Sequence, residues 1–340
     1  MGKMFGFSWS FTREELFHTC ERAFFYEYAA KDEPYHAEAF RLRNLTTPVM
    51  MAGTIVDSVI GMSLKALKNG GEVQTDLASK GARIYEKWWK DSTSFGPTYQ
   101  KGDPIPDKAT VLYHHYFSKD DDEAEKQSGA QRVQNCLYNF ENSSLWETIQ
   151  EKAIHPWSEI RVHGDGLFPK SFVTDSGLEL WAAYDFYIQE EPSLHILDWK
   201  TGARKPNSET KAAKQLSIYT LYGNKALGID LPQVTVQAIW LQESPEWCPQ
   251  QIDEKSILAV ETETHRQSES VFSRLKQDTF WPKGNKWIYI ANEADFPPSP
   301  HPNKCKRCKF QTICSEGIKF HEQELEEQNE LDEHDPFEEL

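Results

Sequence analysis

Between residues 158 and 241 the chain leaves the helical period for four short segments rich in β-branched and aromatic residues. Segments 158–163, 178–189, 194–199 and 234–241 are bounded by Gly, Pro or acidic turns, which is the pattern of strands. A helical pattern over 208–226 separates the third from the fourth, and another helix is expected over 253–277. Strands interleaved with helices, with a crossover helix before the last strand, specify an α/β fold: a mixed β-sheet flanked by helices.

Upstream of the sheet the reading is helical. One helix is expected over 12–29, with Thr12 as cap and Glu14 and Glu15 in its first turn. A second is expected over 49–68, stopped by Asn69-Gly70-Gly71, and a third over 76–90. Gly, Pro, Ser and the charge run 119–123 predict an irregular surface insertion over 91–130. The expected organisation is a helical part (1–90), the insertion (91–130), a core (131–295), a cysteine-bearing segment (296–320) opened by the Pro-rich connector 296–300, and an acidic tail (321–340). There is no internal repeat.

Hydrophobic residues make up 39% of the 340 and tryptophans number eleven, so a sizeable core is expected. The net charge of −16 is concentrated at one end: the last twenty residues hold ten acids and no Lys or Arg, which leaves −6 over the first 320. Such a tail is expected to be disordered or a solvated helix, and is a candidate for docking a protein partner such as a helicase. The start of the chain lacks the basic and apolar run of a signal peptide, and no apolar stretch is expected to span a bilayer. The expectation is a soluble, cytoplasmic protein with no membrane partner. No G-x-x-x-x-G-K-[ST] occurs, so this chain carries no P-loop motor.

The residues that carry chemistry sit where the strands end. Asp185 closes Trp181-Ala182-Ala183-Tyr184-Asp185, and Asp198-Trp199-Lys200 closes the next strand. Residues two apart on a strand point the same way, so Asp198 and Lys200 share a face. Two carboxylates brought together repel unless a cation lies between them, and hard oxygen donors favour Mg²⁺ or Mn²⁺. An Asp-x-Lys alone is a weak signal. Fifteen residues beyond Lys200, however, Gln215 and Tyr219 stand at i and i+4 on one helical face. Of six cysteines, three fall in Cys305-x2-Cys308-x5-Cys314 and a fourth, Cys20, lies near the start. Four thiolates suit Zn²⁺ or an iron–sulfur cluster, and spacing alone does not separate them. Cys136 and Cys248 lie outside the pattern and are expected to be ordinary buried thiols.

In this order the motifs resemble the RecB-like branch of the PD-(D/E)XK nucleases, over roughly residues 51–219. The resemblance implies a restriction-endonuclease-like core in which Asp185 and Asp198 are metal ligands, Trp199 lends its carbonyl, and Lys200 is the catalytic lysine. Gln215 and Tyr219 would position the lysine, water or DNA backbone. Where the family often carries Gly-x-x-x-His, this chain reads Gly53-Thr54-Ile55-Val56-Asp57, so Asp57 takes the ligand position. Glu159 falls where the family often has a glutamate before the first catalytic strand. The cysteines resemble the staple of AddB-type and CRISPR-associated RecB-like nucleases, which implies a [4Fe-4S] cluster on Cys20, Cys305, Cys308 and Cys314 joining the two ends of the chain. Arg204, Lys205, Lys211 and Lys214, and a second group at Lys304, Lys306, Arg307 and Lys309, are placed to contact phosphates. The function implied is a metal-dependent DNA nuclease, an exonuclease or end-processing enzyme of recombination, repair, phage DNA metabolism or CRISPR adaptation. The alternative is a catalytically weak or inactive DNA-end-binding subunit.

Overall fold

The structure is a computed structural model that describes all residues except 1, 31–35, 74, 101–109, 118–122, 155–157, 163–170, 285, 321 and 324–340. All of the acidic tail but residues 322–323, and part of the charge run 119–123, thus lie outside the described residues. In chain order, β1 (Gly2–Phe5), α1 (Phe11–Thr19), α2 (Glu21–Phe24), a π-helical turn and α3 (His36–Arg43) come first. Then follow β2 (Leu45–Thr46), α4 (Pro48–Lys68), α5 (Leu77–Gln100), β3 (Val111–Leu112), α6 (Tyr113–Tyr116), α7 (Glu123–Glu141) and α8 (Ser144–Ile154). The middle of the chain forms β4 (Ser158–Val162), β5 (Ser171–Val173), β6 (Glu179–Trp181), β7 (Phe186–Glu190), β8 (Ser193–Lys200), α9 (Pro206–Leu227) and β9 (Val234–Trp240). It ends with α10 (Glu254–Phe272), β10 (Leu275–Trp281), β11 (Lys286–Ala291) and α11 (Pro302–Cys305).

These elements divide into two compact units. The larger, residues 8–10 and 46–266, is built on a four-stranded sheet of order β4-β7-β8-β9. The first three strands are antiparallel neighbours; β8 and β9 are parallel, with Asp198 opposite Ala238. A parallel pair needs a crossover, and α9 supplies it. Strand β8 is buried from Ile196 to Trp199, as a central strand covered on both faces should be. Helix α4 packs Met51, Ile55, Val59, Ile60 and Leu64 into the same core as Leu137 and Phe140 of α7 and Leu197 of β8. Contrary to expectation, α4 is long and apolar enough to cross a bilayer, but that apolarity is spent inside the unit, where these side chains are buried.

The smaller unit, residues 1–7, 11–45 and 267–340, is discontinuous in sequence. Its sheet, β1-β11-β10, is antiparallel throughout and was not anticipated. Almost all of β10 is exposed, so it has no alternating burial for a period of two to mark. The helix expected over 253–277 accordingly stops at Phe272.

Three other expectations need correction. The helix expected over 12–29 breaks at Cys20, whose extended backbone (φ −166°, ψ 114°) separates α1 from α2. The irregular insertion is helical over 91–100 and from Glu123, with β3 and α6 between; 101–109 lies outside the described residues. Tertiary contacts override the local breakers there: the Ser92 hydroxyl accepts from the Leu112 N–H at 2.7 Å and bonds the His115 ring, and Gly96 lies so close to the His115 backbone that a Cβ would stand 2.8 Å from it. Finally, Cys136 is buried but Cys248 is exposed.

Candidate active site

Four side chains of the β8–α9 stretch close a ring of polar contacts. Lys200 Nζ lies against Asp198 Oδ2 and donates to Gln215 Oε1 at 2.6 Å. Gln215 Nε2 donates to the Tyr219 hydroxyl at 2.5 Å. That hydroxyl is 3.0 Å from Asp198 Oδ1 and 2.8 Å from the Ala183 carbonyl oxygen, between which its single proton is shared. The helix matters here: Gln215 and Tyr219 are one turn apart on α9, so both reach the end of β8.

Asp185 reaches the ring from the side. It lies in the bend just before β7 rather than on a strand, because the segment expected as one strand over 178–189 is interrupted between β6 and β7. Its Oδ2 accepts the Trp199 N–H at 2.6 Å. The Trp199 ring is buried against Phe140 and Phe186, which anchors that N–H in the core. Burial, then the charges of Asp198 and Asp57, hold the Asp185 carboxyl well above the usual carboxylate range. The Trp199 N–H and Lys200 pull the other way. Burial and the two aspartates likewise push the Tyr219 hydroxyl far up, so it is a neutral donor and not a base.

Asp57, on α4, thus enters the electrostatic field of Asp185, and Asp198 Oδ2 is a buried oxygen whose neighbour is the Lys200 ammonium. Among the described residues, no three His, Cys, Asp or Glu side chains are gathered tightly enough to hold a metal ion. The donor set nevertheless has the chemistry of a hard divalent cation's site: the charges of Asp198 and Asp57 both bear on the buried Asp185 carboxyl, with the Lys200 ammonium against Asp198 as the cation beside them.

The loop after β8 is held by groups that spacing does not announce. The Thr201 carbonyl accepts from Arg132 at 3.2 Å and from Gln242 Nε2 at 2.5 Å. Asn139 secures the neighbouring Leu241 carbonyl at 3.0 Å. Of the basic residues expected to meet phosphates, Arg204 is exposed but engaged by Glu209 at 2.6 Å and by Glu243 at 3.7 Å. Lys205 is the N-cap of α9, and Lys211 lies one turn before Gln215 on the same helix, with Lys214 adjacent to Gln215. Glu159 lies on β4 opposite Gln189; its side chain is outside the described residues.

In the smaller unit, Cys20, Cys305, Cys308 and Cys314 line one cavity together with Arg22, Tyr26 and Phe310. Each sulfur is approached by backbone N–H groups. Ser299 donates to Cys20 at 3.5 Å and His301 to Cys305 at 3.4 Å; Phe310 serves Cys308, and Glu316 and Gly317 serve Cys314. Gly317 is required by space, since a Cβ there would meet the Gln311 backbone at 2.5 Å. Burial, with the neighbouring sulfurs adding to it, pushes the Cys308 thiol up to about 11. Tyr26 donates to Glu293 at 2.7 Å or to the Ile313 carbonyl at 2.8 Å, and Arg22 pairs with Glu293 and donates to the Phe296 carbonyl at 2.8 Å. These bonds fasten the N-terminal helices to the C-terminal cysteine segment.

Comparison with curated proteins finds no match. A family model described as the PD-(D/E)XK nuclease superfamily matches residues 8–315. Members of that superfamily are generally nucleases, and typically use Mg²⁺ or Mn²⁺. With the match running over most of its length, and a mixed α/β architecture consistent with it, the chain belongs to the PD-(D/E)XK nuclease superfamily.

Proposed function

We propose that this protein is a metal-dependent deoxyribonuclease of the RecB-like branch, an exonuclease or end-processing enzyme, with a [4Fe-4S] cluster on its four clustered cysteines. The observation that carries the first part is the closed ring of Asp198, Lys200, Gln215 and Tyr219 with Asp185 beside it. Asp57, Asp185 and Asp198, with the Trp199 carbonyl, would hold Mg²⁺ or Mn²⁺. Such an ion supplies an acidified water and neutralises charge at the phosphate. Lys200 keeps an ammonium at the ring's edge, where it steadies the charge that grows on a phosphate under attack. Gln215 fixes that ammonium, and Tyr219, a neutral donor, keeps Asp198 oriented. Lys205, Lys211 and Lys214 contribute phosphate attraction without reading sequence.

The cluster reading rests on four cysteines lining one cavity, each sulfur with a backbone donor. At Cys308 and Cys314 those donors oppose the burial that raises the thiols, and the cluster would cross-link distant parts of the chain. End-labelled single- and double-stranded DNA, incubated with Mg²⁺, Mn²⁺ or chelator, tests the nuclease reading. Metal-dependent cleavage is expected, and none in chelator. Clean protein that cuts neither substrate with either metal would overturn the reading in favour of an inactive DNA-end-binding subunit.

A further inference from the structure

The smaller unit carries an aromatic surface that neither site uses. Phe280 and Trp287 are directly opposed on β10 and β11, and their rings pack edge to face with centroids 5.4 Å apart. Tyr289 lies two residues beyond Trp287 and so shares its face, and its ring meets Phe272 at 5.5 Å. The result is a row of rings along one side of the hairpin. Its members are not buried: Phe272 is 44% exposed, Trp287 42% and Phe280 40%. Trp281, on the other face, is 42% exposed. Exposed large apolar groups gathered in one patch mark a binding surface.

Charge narrows the occupant. From Leu275 to Ala291 the chain has three lysines, Lys276, Lys283 and Lys286, and one acid, Asp278, in a protein whose net charge is −16. All three lysines are exposed, and among the described residues none has an acidic partner. Lys283 lies in the turn that joins the two strands, and Lys286 opens β11 opposite Trp281. Half-exposed aromatic rings beside exposed lysines match the chemistry of unpaired bases on a phosphate backbone. A duplex hides its base faces and would find only the lysines.

We propose that the β10–β11 hairpin is a stacking platform for single-stranded DNA. This rests on the nuclease reading for its biological sense, but its test does not depend on cleavage. Binding of the full-length protein to fluorescein-labelled dT20 and to a 20-base-pair duplex is measured by anisotropy in chelator, with melting curves as the folding control. The double variant Phe280→Ala/Trp287→Ala should lose about tenfold or more in affinity for dT20, since each base–aromatic stack contributes of that order or above. Its affinity for the duplex should change less than about twofold, and Trp287→Tyr should retain most of the dT20 affinity. Lys283→Glu/Lys286→Glu should weaken binding to both and flatten the salt dependence.

Unchanged dT20 binding in a folded double variant overturns the proposal. So does an equal loss on duplex, or a loss that sedimentation traces to broken self-association. Failure here is distinct from failure of the nuclease reading: a protein that cuts DNA while its hairpin variants bind dT20 normally loses only the platform. One that binds dT20 through the hairpin and never cuts loses only the nuclease.

Discussion

Tyr219 stands 3.0 Å from Asp198 Oδ1 while also receiving the Gln215 amide, so one hydroxyl couples the carboxylate of β8 to the helix that follows it. Tyr219→Phe removes that link and leaves the Ala183 carbonyl and Asp198 Oδ1 short of a donor. Cleavage should fall about ten- to a hundredfold, the scale of losing one to two oriented hydrogen bonds, with a stability loss of about 1–2 kcal/mol. Single-turnover rates and a denaturant melt check both. A variant that cuts at the wild-type rate would show that Asp198 is oriented without it.

Lys200→Ala should abolish cleavage with DNA affinity nearly intact, because one ammonium is a small part of the phosphate-contacting charge but faces Asp198 directly. Cleavage gels beside binding curves in chelator separate the two effects. A parallel loss of binding would make Lys200 a DNA-contacting residue instead.

Asp185 gives a pH dependence with a definite sign. Its folded pKa is raised, so the protonated form is the one that folding favours, and in metal-free protein its contribution is fully present at acid pH. That contribution is lost as pH rises through the raised folded value. Metal-free wild type should therefore lose stability relative to Asp185→Asn between acid and neutral pH, and the variant should melt higher at neutral pH in chelator. Added Mn²⁺ should raise the wild-type Tm and leave the variant's nearly unmoved. Melting curves at matched pH, with and without metal, measure the difference; an identical pH response in both proteins would contradict the assignment.

Asp57→His should keep cleavage and shift its preference toward Mn²⁺, since imidazole is a softer donor than carboxylate. Rates in each metal give the ratio, and an unchanged ratio removes Asp57 from the ion's coordination.

The clustered cysteines make a coupled prediction about colour and stability. Anaerobically purified protein should be brown, and Cys20→Ala or Cys308→Ala should lose visible absorbance together with about 5 kcal/mol at most, the entropy of closing a loop of nearly the whole chain. Since burial and its neighbours hold the Cys308 thiol near 11, loading the cluster at neutral pH should also release protons. Colourless protein that carries zinc and melts unchanged after Cys20→Ala is the opposing result.

The parts of the site legible in the sequence are those set by short-range periodicity. The i, i+2 spacing of Asp198 and Lys200 and the i, i+4 spacing of Gln215 and Tyr219 decide which face each side chain takes, and the ring forms from those two pairs. What stayed illegible depends on backbone groups brought in from afar. Nothing in the sequence marks Ala183 as an acceptor for Tyr219, or Arg132 and Gln242 as donors to Thr201. Local rules also misled where packing outweighed them: α5 runs on through Gly96 and Pro97, and Asp185 occupies a bend inside what looks like one strand.

The split of the smaller unit into residues 1–7, 11–45 and 267–340 has a consequence for synthesis on the ribosome. The larger unit is complete in sequence at Arg266, whereas Cys20 must wait for Cys305, Cys308 and Cys314. At about 5–20 residues per second that wait is on the order of tens of seconds. A nascent chain therefore displays its first helices without their final partners while the sheet that carries Asp198 is already assembling. Truncated products released before the last cysteines would keep the aspartates and the lysine but lack the cysteine cavity, so assembly of that cavity reports that translation reached the end of the unit.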